Sequence, residues 1–259
     1  MLIIGEKVNV MSLTIGPAMK NRDPKPIQDM AAAQVEAGAN ALDINIGPAR
    51  KDGPEMMEWV VNTVQDAVDV TLCLDTTNAE AMEAGLKVCK KQPIINSASG
   101  EPTRLETMTS LAAKYDAKLI GLTMPATGIP RDANGRMAIA VDIMTKMAEK
   151  GVPLENLYLD PLILPIAVSQ EQALEGIEAI KMFRQLNDPP LKTVVGLSNI
   201  SNGALAETKP LLDRTYLTML ATVGLDAAIA DPFDKELMDT VKTVRILRNE
   251  VLYCHSYLD

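Results

Sequence analysis

The sequence predicts an α/β protein built as a closed (β/α)8 barrel, and three observations predict it. Short apolar runs recur along the 259 residues, at 2–5, 41–47, 71–75, 93–96, 118–123, 157–160, 193–199 and 226–231. Longer segments with helical periodicity separate these runs. The runs are apolar on both faces, as expected for parallel strands covered by helices. Eight such units fit one barrel, so we interpret residues 1–259 as a single domain.

The residues between the runs agree with this alternation. Asp23 followed by Pro24 is typical of an N-cap and a first helical residue, and Gly38 and Gly151 are typical of residues just past a helix end. An open doubly wound sheet usually carries a Gly-rich phosphate loop after its first strand. The segment GEKVNV matches neither GxGxxG nor GxxxxGK[ST], which favours the closed barrel.

Composition excludes several classes of function. A net charge of −9 argues against a nucleic-acid partner, which would need clustered Lys and Arg. No apolar run is long enough to span a bilayer and no signal peptide precedes the first strand, so we expect a cytoplasmic protein with no membrane partner. The 3 cysteines form no CxxC pair, and Cys73 is expected in the core. His255 is the single histidine, so we expect no protein-bound metal.

Polar residues end most of the predicted strands, and in such a barrel the active site lies at that end. The residues concerned, in strand order from the second to the eighth, are Asp43, Asn45, Gly47, Asp75, Asn96, Thr123, Asp160, Ser198, Asn199 and Asp231. Glu6 and Asn9 follow the first strand and either line this rim or brace it. Lys118 and Lys192 precede their strands at the opposite end, which argues against a Schiff-base lysine in the barrel.

Each of these residues has a structural alternative. Asp75 could help to cap the next helix, although Thr77 or Asn78 stands nearer to its start, and Asp231 could cap the last helix. Asp160 is followed by PLILPIAVS and has no adjacent helix to cap, so a functional role is favoured. The amides could satisfy loop backbone, and the second-strand residues could shape a turn; these are Asn96, Asn199, Asn45 and Gly47.

Carboxylates and amides without a basic clamp suit a neutral ligand that is rich in hydrogen-bond donors. A pterin fits this description, because its 2-amino group and N3–H present adjacent donors to a carboxylate. Spacing alone leaves the ligand open.

The motifs carry a resemblance over essentially the whole chain. They are LIIGEKVN, ALDINIGPA, TLCLDTTN, IINS, LIGLTM with TGIP, LYLDPLILP, TVVGLSNIS and GLDAAIAD. With them the chain resembles the methyltetrahydrofolate:corrinoid-protein methyltransferases, in the pterin-binding branch of the barrel fold that includes dihydropteroate synthases. The resemblance implies that Asp75, Asn96 and Asp160 bind the pterin. It also implies that Asn199 is the catalytic residue near N5, with Gly196 and Ser198 in the same wall. Further possible contacts are Asn9, Asn45, Asp43 and Asp231.

The resemblance implies a reaction and its partners. The N5 methyl group moves between 5-methyltetrahydrofolate and the cobalt of a corrinoid, in anaerobic one-carbon metabolism. The chain lacks the DxHxxG signature of a corrinoid-binding segment, so the corrinoid is expected on a separate protein. Residues 202–210 and 125–136 are candidates for docking that protein. A homodimer is also implied.

Three questions stay open at this point. A dihydropteroate-synthase-like enzyme is disfavoured because that family carries basic residues near strand seven, where this chain has GLSNISNGA. A non-catalytic folate-binding module is the other alternative. The partner is either the corrinoid iron–sulfur protein or a demethylation-type corrinoid protein serving betaines or methoxyaromatics. The segments SASGEPTRLE and NGALAETKP slightly favour the second partner, and the sequence does not decide the direction of transfer.

Overall fold

The computed structural model describes residues 1–49 and 51–258 and contains a closed barrel of parallel strands. Each strand pairs with the next, and the eighth pairs with the first. The strands are β1 Leu2–Asn9, β2 Ala41–Asn45, β3 Thr71–Asp75, β4 Ile94–Ser99, β5 Lys118–Leu122, β6 Leu157–Asp160, β7 Lys192–Gly196 and β8 Ala227–Ala230. The predicted (β/α)8 fold is confirmed. That the whole chain forms one domain stays a prediction.

Helices follow the strands and cover the outside of the barrel. They are α1 Ile15–Asn21, α2 Pro24–Glu36, α3 Gly53–Gln65, α4 Ala79–Val88, α5 Pro102–Tyr115, α6 Ala133–Glu149, α7 Ile166–Ser169, α8 Gln172–Phe183, α9 Lys209–Thr222 and α10 Lys235–Leu247. Asp23 caps α2 through the Lys25 amide, with Pro24 as its first residue. Gly38 (φ +104°) and Gly151 (φ +71°) follow the ends of α2 and α6, as predicted. None of these helices is long and apolar enough to cross a membrane.

Several strand ends differ from the sequence prediction. β1 continues to Asn9 rather than ending at Gly5, because backbone pairing with β2 persists through polar residues. Asn96 lies within β4 rather than at its end. Ser198 and Asn199 are not part of β7 but form the 3-10 turn Leu197–Asn199 that follows it. An apolar run and a paired backbone segment therefore need not share their ends.

The inside of the barrel is filled by a layer of small and aliphatic side chains and one tyrosine. Each strand contributes one buried residue to it, namely Ile4, Ala41, Cys73, Ile94, Ile120, Tyr158, Val194 and Ala227. Cys73 is therefore a core residue, as predicted. Two larger clusters pack the outer faces of the strands against the helices. The barrel is thus a packed core with no open channel through this layer, and any ligand must sit above it.

The amino-terminal ends of the strands carry the two lysines that the sequence assigned to that side. Lys118 and Lys192 are the first residues of β5 and β7 rather than preceding them. The Lys192 Nζ atom donates to the Glu155 carbonyl oxygen at 2.8 Å and lies 5.4 Å from the centre of the Tyr158 ring. Both lysines therefore lie at the opposite end of the strands from their polar carboxyl termini. His255 is exposed near the end of the chain.

Candidate active site

The candidate site is a cavity of about 300 Å³ directly above the core layer, at the carboxyl ends of the strands. Side chains alternate along a strand, so the residue two positions after each core residue points to the same side. Those eight residues are Glu6, Asp43, Asp75, Asn96, Leu122, Asp160, Gly196 and Ile229, and all of them line the cavity. Strand alternation thus places four carboxylates in one floor.

The walls of the cavity come from residues just beyond this floor. They are Asn9, Asn45, Ser97, Leu162, Ser198 and Asn199. Asp43 and Asp160 are buried, with 4% and 9% of their surfaces exposed, whereas Asn199 is exposed at the rim. The cavity is therefore closed at the bottom and open at the top.

The structure brings together nearly all the residues that the sequence singled out. Those in the cavity are Asn9, Asp43, Asn45, Asp75, Asn96, Asp160, Gly196, Ser198 and Asn199. Asp231 lies outside it. Its carboxylate forms an ion pair with Lys7 at 2.5 Å and accepts from the Phe233 amide at 3.0 Å. It does not cap the last helix, because Asp234 does so.

Two other residues at the strand ends do not line the cavity and instead form hydrogen bonds beside it. The buried Thr123 hydroxyl donates to the Asp160 carbonyl oxygen at 2.9 Å. Gly47 has φ +65°, and its carbonyl oxygen accepts from the Thr76 hydroxyl at 2.7 Å. Both residues therefore brace the rim.

A β-bulge in β1 brings Glu6 and Asn9 to the same side of the strand. Regular alternation would place residues three apart on opposite faces. The register with β2 shifts between Gly5 and Val8, so two residues of β1 oppose one of β2. Val8 is then buried among the outer apolar residues, while Glu6 and Asn9 line the cavity.

Amide groups pair with two of the carboxylates. The Asn96 Nδ2 atom donates to Asp43 Oδ1 at 3.0 Å, and the Asn45 Nδ2 atom donates to Asp75 Oδ2. Asn45 Oδ1 in turn accepts from the Gly47 amide at 2.9 Å, which fixes the orientation of the Asn45 side chain. Among the described residues that line this cavity, none is Lys or Arg. Neutral donors therefore hold these acids.

The surroundings of the acids shift their pKa values upward. Burial raises the pKa of Asp43, and the charge of Asp75 raises it further. Burial also raises the pKa of Asp75, although the hydrogen bond from Asn45 and the charge of Arg104 act in the opposite direction. Burial raises the pKa of Asp160 to about 7, against the hydrogen bond from the Leu162 amide. For both Asp75 and Asp160 the effect of burial outweighs that of the nearest arginine, so their ionised forms are costly and favour a ligand that donates hydrogen bonds to them.

Arg104, on α5, is a residue of the site that the sequence did not reveal. Its guanidinium donates to three backbone carbonyls, those of Ser97 at 2.9 Å, Thr77 at 2.8 Å and Thr76 at 2.9 Å. It thereby joins β4 to the loop after β3 and lies close enough to Asp75 to act on its pKa. On a helix, an arginine is expected to face solvent, and only the tertiary structure supplies its partners.

The turn after β6 is held from two sides. Asp160 Oδ1 accepts from the Leu162 amide at 2.8 Å, and Leu162 has φ +61°. The buried Arg136 donates through Nε to the Pro161 carbonyl oxygen at 2.6 Å and through Nη2 to Gln172 at 2.7 Å. Asp160 thus caps no helix, as expected, and its carboxylate is fixed by the loop that follows it.

Asn199 depends on the glycine that ends β7. A Cβ atom at Gly196 would lie 2.9 Å from Asn199 Nδ2, a distance that real Cβ atoms do not show. The Asn199 amide can therefore lie over residue 196 only because that residue has no side chain.

This site, on the core layer of an eight-stranded parallel barrel, agrees with the comparison to known families. A family model described as pterin binding enzyme matches residues 6–230. The chain belongs to this family. The match includes every residue that lines the cavity, from Glu6 to Ile229.

Relatives of this pterin-binding enzyme include methyltransferases. It is 28% identical over 259 residues to the methylcorrinoid:tetrahydrofolate methyltransferase of Eubacterium limosum, with 99% of this chain and 94% of that protein covered. It is 29% identical over 238 residues to the methionine synthase of Mycobacterium tuberculosis, which covers 88% of this chain but 20% of that longer protein. These findings confirm the resemblance stated from the sequence and the expectation of an enzyme.

A solved structure shows the same fold. The dihydropteroate synthase of Thermus thermophilus matches with a TM-score of 0.67 at 17% identity, over 96% of this chain and 92% of that chain. At this identity the likeness concerns the barrel alone. Within residues 1–49 and 51–258, no group of three or more His, Cys, Asp or Glu side chains is placed to hold a metal ion.

Proposed function

We propose that this pterin-binding enzyme transfers the methyl group between N5 of 5-methyltetrahydrofolate and the cobalt of a corrinoid carried by a separate protein. One observation carries the proposal. A single cavity joins Asp75, Asn96 and Asp160 to Asn199, in a chain that matches a methylcorrinoid:tetrahydrofolate methyltransferase along 99% of its length.

The pterin is proposed to lie on the floor of the cavity. The Asp75 and Asp160 carboxylates accept from its 2-amino group and ring N–H groups, and the Asn96 amide pairs with a polar edge of the ring. Gly196 and Ser198 form the adjoining wall, with Asp43, Asn45 and Asn9 as supporting residues. The absence of Lys and Arg among the described lining residues supports a neutral ring over a pyrophosphate ester. That absence disfavours the dihydropteroate-synthase-like alternative.

Asn199 is proposed to act on N5. During transfer from the folate, Co(I) supplies an electron pair to the methyl carbon, the C–N bond electrons return to N5, and N5 gains a proton. The leaving nitrogen is basic, so a hydrogen-bond donor at N5 stabilises the transition state. The Asn199 amide supplies that donor and orients the methyl group. The proton itself arrives through hydrogen-bonded groups or water, because a side-chain amide does not release a proton near neutral pH.

The partner is proposed to dock over the open mouth. Residues 202–210 and 125–136 lie at the rim, and each carries an exposed apolar side chain, Leu205 and Ile129 respectively. We favour a demethylation-type corrinoid protein and transfer toward methyltetrahydrofolate, in line with the name of the Eubacterium limosum relative. A homodimer and a single-domain chain remain part of the proposal.

Isotope transfer tests this function. The enzyme is incubated with tetrahydrofolate and ¹³C-methyl-labelled cobalamin, and carbon NMR follows the label. We expect the label at N5 of the folate at an enzyme-dependent rate. A parallel incubation with a pterin pyrophosphate and 4-aminobenzoate tests the condensing alternative. Folate binding without label transfer, even with candidate corrinoid proteins present, would instead support a non-catalytic binding module.

A further inference from the structure

Glu6 is the one carboxylate in the floor of the cavity whose role the proposed function leaves unassigned. It occupies the β1 position of the layer that also holds Asp43, Asp75 and Asp160. The Ser198 hydroxyl lies 2.9 Å from each of its two carboxylate oxygens. A hydroxyl has one hydrogen, so Ser198 donates to Glu6 and has none left for a ligand.

This contact crosses a neighbouring strand. β8 lies between β1 and β7 in the barrel, and Glu6 is on β1, while Ser198 is in the turn that follows β7. The two residues are 192 positions apart in the sequence. The hydrogen bond therefore ties β1 to the turn after β7 over the end of the strand between them, and it does so at the wall of the cavity.

Glu6 is itself held in place. The Lys7 Nζ atom lies 3.5 Å from Glu6 Oε1 and 2.5 Å from Asp231 Oδ2. The Glu6 carboxylate thus stands between an ammonium group and a hydroxyl. The serine contact at 2.9 Å has the length of a hydrogen bond, whereas the lysine at 3.5 Å contributes an ion pair. Asp231, which lies outside the cavity, thereby takes part in holding its wall.

The turn that Ser198 belongs to is the one that carries Asn199. Leu197, its first residue, is fully buried in an apolar cluster. Ser198, its middle residue, is bonded to Glu6, and Asn199, its last residue, lies over Gly196. Apart from these contacts, Asn199 is exposed at the rim. The buried Leu197 and Ile200 and the serine–glutamate bond therefore anchor the turn on both sides of Asn199 and set the direction of its amide.

We propose that Glu6 is a positioning residue that acts through Ser198 to hold the Asn199 amide in place for methyl transfer. The inference deepens the proposed function and rests on it. It gives Glu6 a role without contact to the reacting atoms. Loss of the Glu6 carboxylate or of the Ser198 hydroxyl leaves the pterin-binding acids intact and frees the Asn199 amide.

Kinetics of paired variants test the proposal. Glu6→Ala and Ser198→Ala are each expected to lower kcat on the order of 10- to 100-fold, as misplaced groups typically do. KM for methyltetrahydrofolate should change by less than about threefold, because ground-state binding is retained. The double variant should be about as slow as either single variant, since the two residues act as one unit. Ser198→Thr, which keeps the hydroxyl, should restore most of the activity.

A matched control separates positioning from general bracing. Glu83 on α4 also accepts from a hydroxyl, that of Tyr115 on α5, at 2.9 Å, on the outside of the barrel. Glu83→Ala removes a comparable contact far from the cavity and is expected to leave kcat unchanged. Additive losses for Glu6→Ala and Ser198→Ala, or losses confined to KM, would overturn the proposal.

A second measurement decides the matter independently of turnover. The protein is labelled with ¹⁵N-asparagine, and the Asn199 side-chain NH₂ signals are assigned by their absence in Asn199→Ala. We expect two well-separated signals in the wild type and in Glu83→Ala, and signals near those of a mobile asparagine in Glu6→Ala and Ser198→Ala. Unchanged signals would overturn the positioning role. A wild type that transfers no methyl group would defeat the proposed function, while this comparison would still decide the role of Glu6.

Discussion

Asp160 has two properties that suit it to bind a ligand. Its side chain is fixed in orientation, and its carboxylate can accept further hydrogen bonds. Its Oδ1 atom is engaged by the Leu162 amide, and the residue is 9% exposed. Burial raises its pKa to about 7, far above the ordinary value of 3.8. The ionised form of the carboxylate is thus costly, and a ligand with N–H donors lowers that cost.

The raised pKa of Asp160 predicts how folate binding depends on pH. Only the ionised carboxylate accepts fully from the pterin, and below a pH of about 7 it becomes protonated. Affinity should therefore fall as the pH is lowered from about 8 to about 6, approaching roughly tenfold per pH unit for a single group. Titration calorimetry measures this. Asp160→Asn should bind more weakly at the upper pH and show a smaller dependence, with the remainder coming from Asp75 and Asp43, whose pKa values are also raised. An affinity of the wild type that is constant over this range would contradict the assignment.

The same group has the opposite effect on the stability of the ligand-free protein. The folded state has the higher pKa and so binds a proton that the unfolded chain releases. The free energy of unfolding therefore rises as the pH falls from about 8 toward about 4 through this group. Binding and stability thus respond to pH with opposite signs, which distinguishes the effect of Asp160 from acid unfolding.

Gly196→Ala tests the geometry of Asn199 with a single methyl group. The new Cβ atom would lie 2.9 Å from the Asn199 amide nitrogen, which is too close. The amide would therefore move, and it can do so because it is the end of a flexible side chain. We expect folding and pterin affinity to be nearly retained, with methyl transfer slowed roughly 100-fold, as for other displaced groups. Thermal unfolding and steady-state kinetics check both parts. A variant with the wild-type rate would show that the amide acts from a position other than the one over Gly196.

At the scale of elements, Arg104 on α5 connects a helix to the site, as Arg136 on α6 does at the turn after β6. Its guanidinium holds carbonyls of the β3 loop and of β4, and its charge opposes the rise in the pKa of Asp75. Arg104→Met removes both effects. The pKa of Asp75 should rise, and folate affinity at neutral pH should fall roughly tenfold.

The folate affinity of Arg104→Met at higher pH distinguishes the effect of the Arg104 charge from that of its hydrogen bonds to the loop carbonyls. Raising the pH to about 8.5 should restore part of the affinity of Arg104→Met by ionising Asp75. Arg104→Lys keeps the charge, but its compact ammonium cannot span the three carbonyls that the planar guanidinium reaches. It should therefore show a smaller pH effect than Arg104→Met, and both variants should lose stability. Folate affinity of Arg104→Met equal to that of the wild type at both pH values would exclude this role.

The order of the elements could be predicted from the sequence because apolar runs and helical periodicity report burial directly. The carboxylates Asp75 and Asp160 could also be predicted, since each ends an apolar run. The β1 bulge could not, because polar residues conceal that the pairing with β2 resumes at Val8 and Asn9 after the interruption at Glu6 and Lys7. Nor could Arg104, whose partners are backbone carbonyls that tertiary structure brings together. Apolar runs in the sequence thus predict the carboxylates in the floor of the site, but not the bulge and the arginine contacts that position the residues around it.

At the scale of the whole molecule, the cavity opens onto a rim with exposed apolar side chains. They lie on the connections that follow β1, β5, β6, β7 and β8, and are Met11, Leu13, Ile129, Val168, Leu205 and Phe233. The buried acids at the bottom and the exposed Asn199 at the top define a direction through the site. A folate held from below would present N5 toward a partner arriving from above, as the proposed reaction requires.

The most direct measurement is the conversion of Co(I) cobalamin to methylcobalamin, followed by absorbance with methyltetrahydrofolate as the donor. We expect enzyme-dependent conversion, slowed about 100-fold or more in Asn199→Ala, because a charge-stabilising donor contributes roughly 2.7–4 kcal/mol to the barrier. Folate affinity of Asn199→Ala should stay close to that of the wild type. Conversion at the wild-type rate in Asn199→Ala would contradict the role of Asn199, and no conversion by a wild type that binds folate would contradict the proposed reaction.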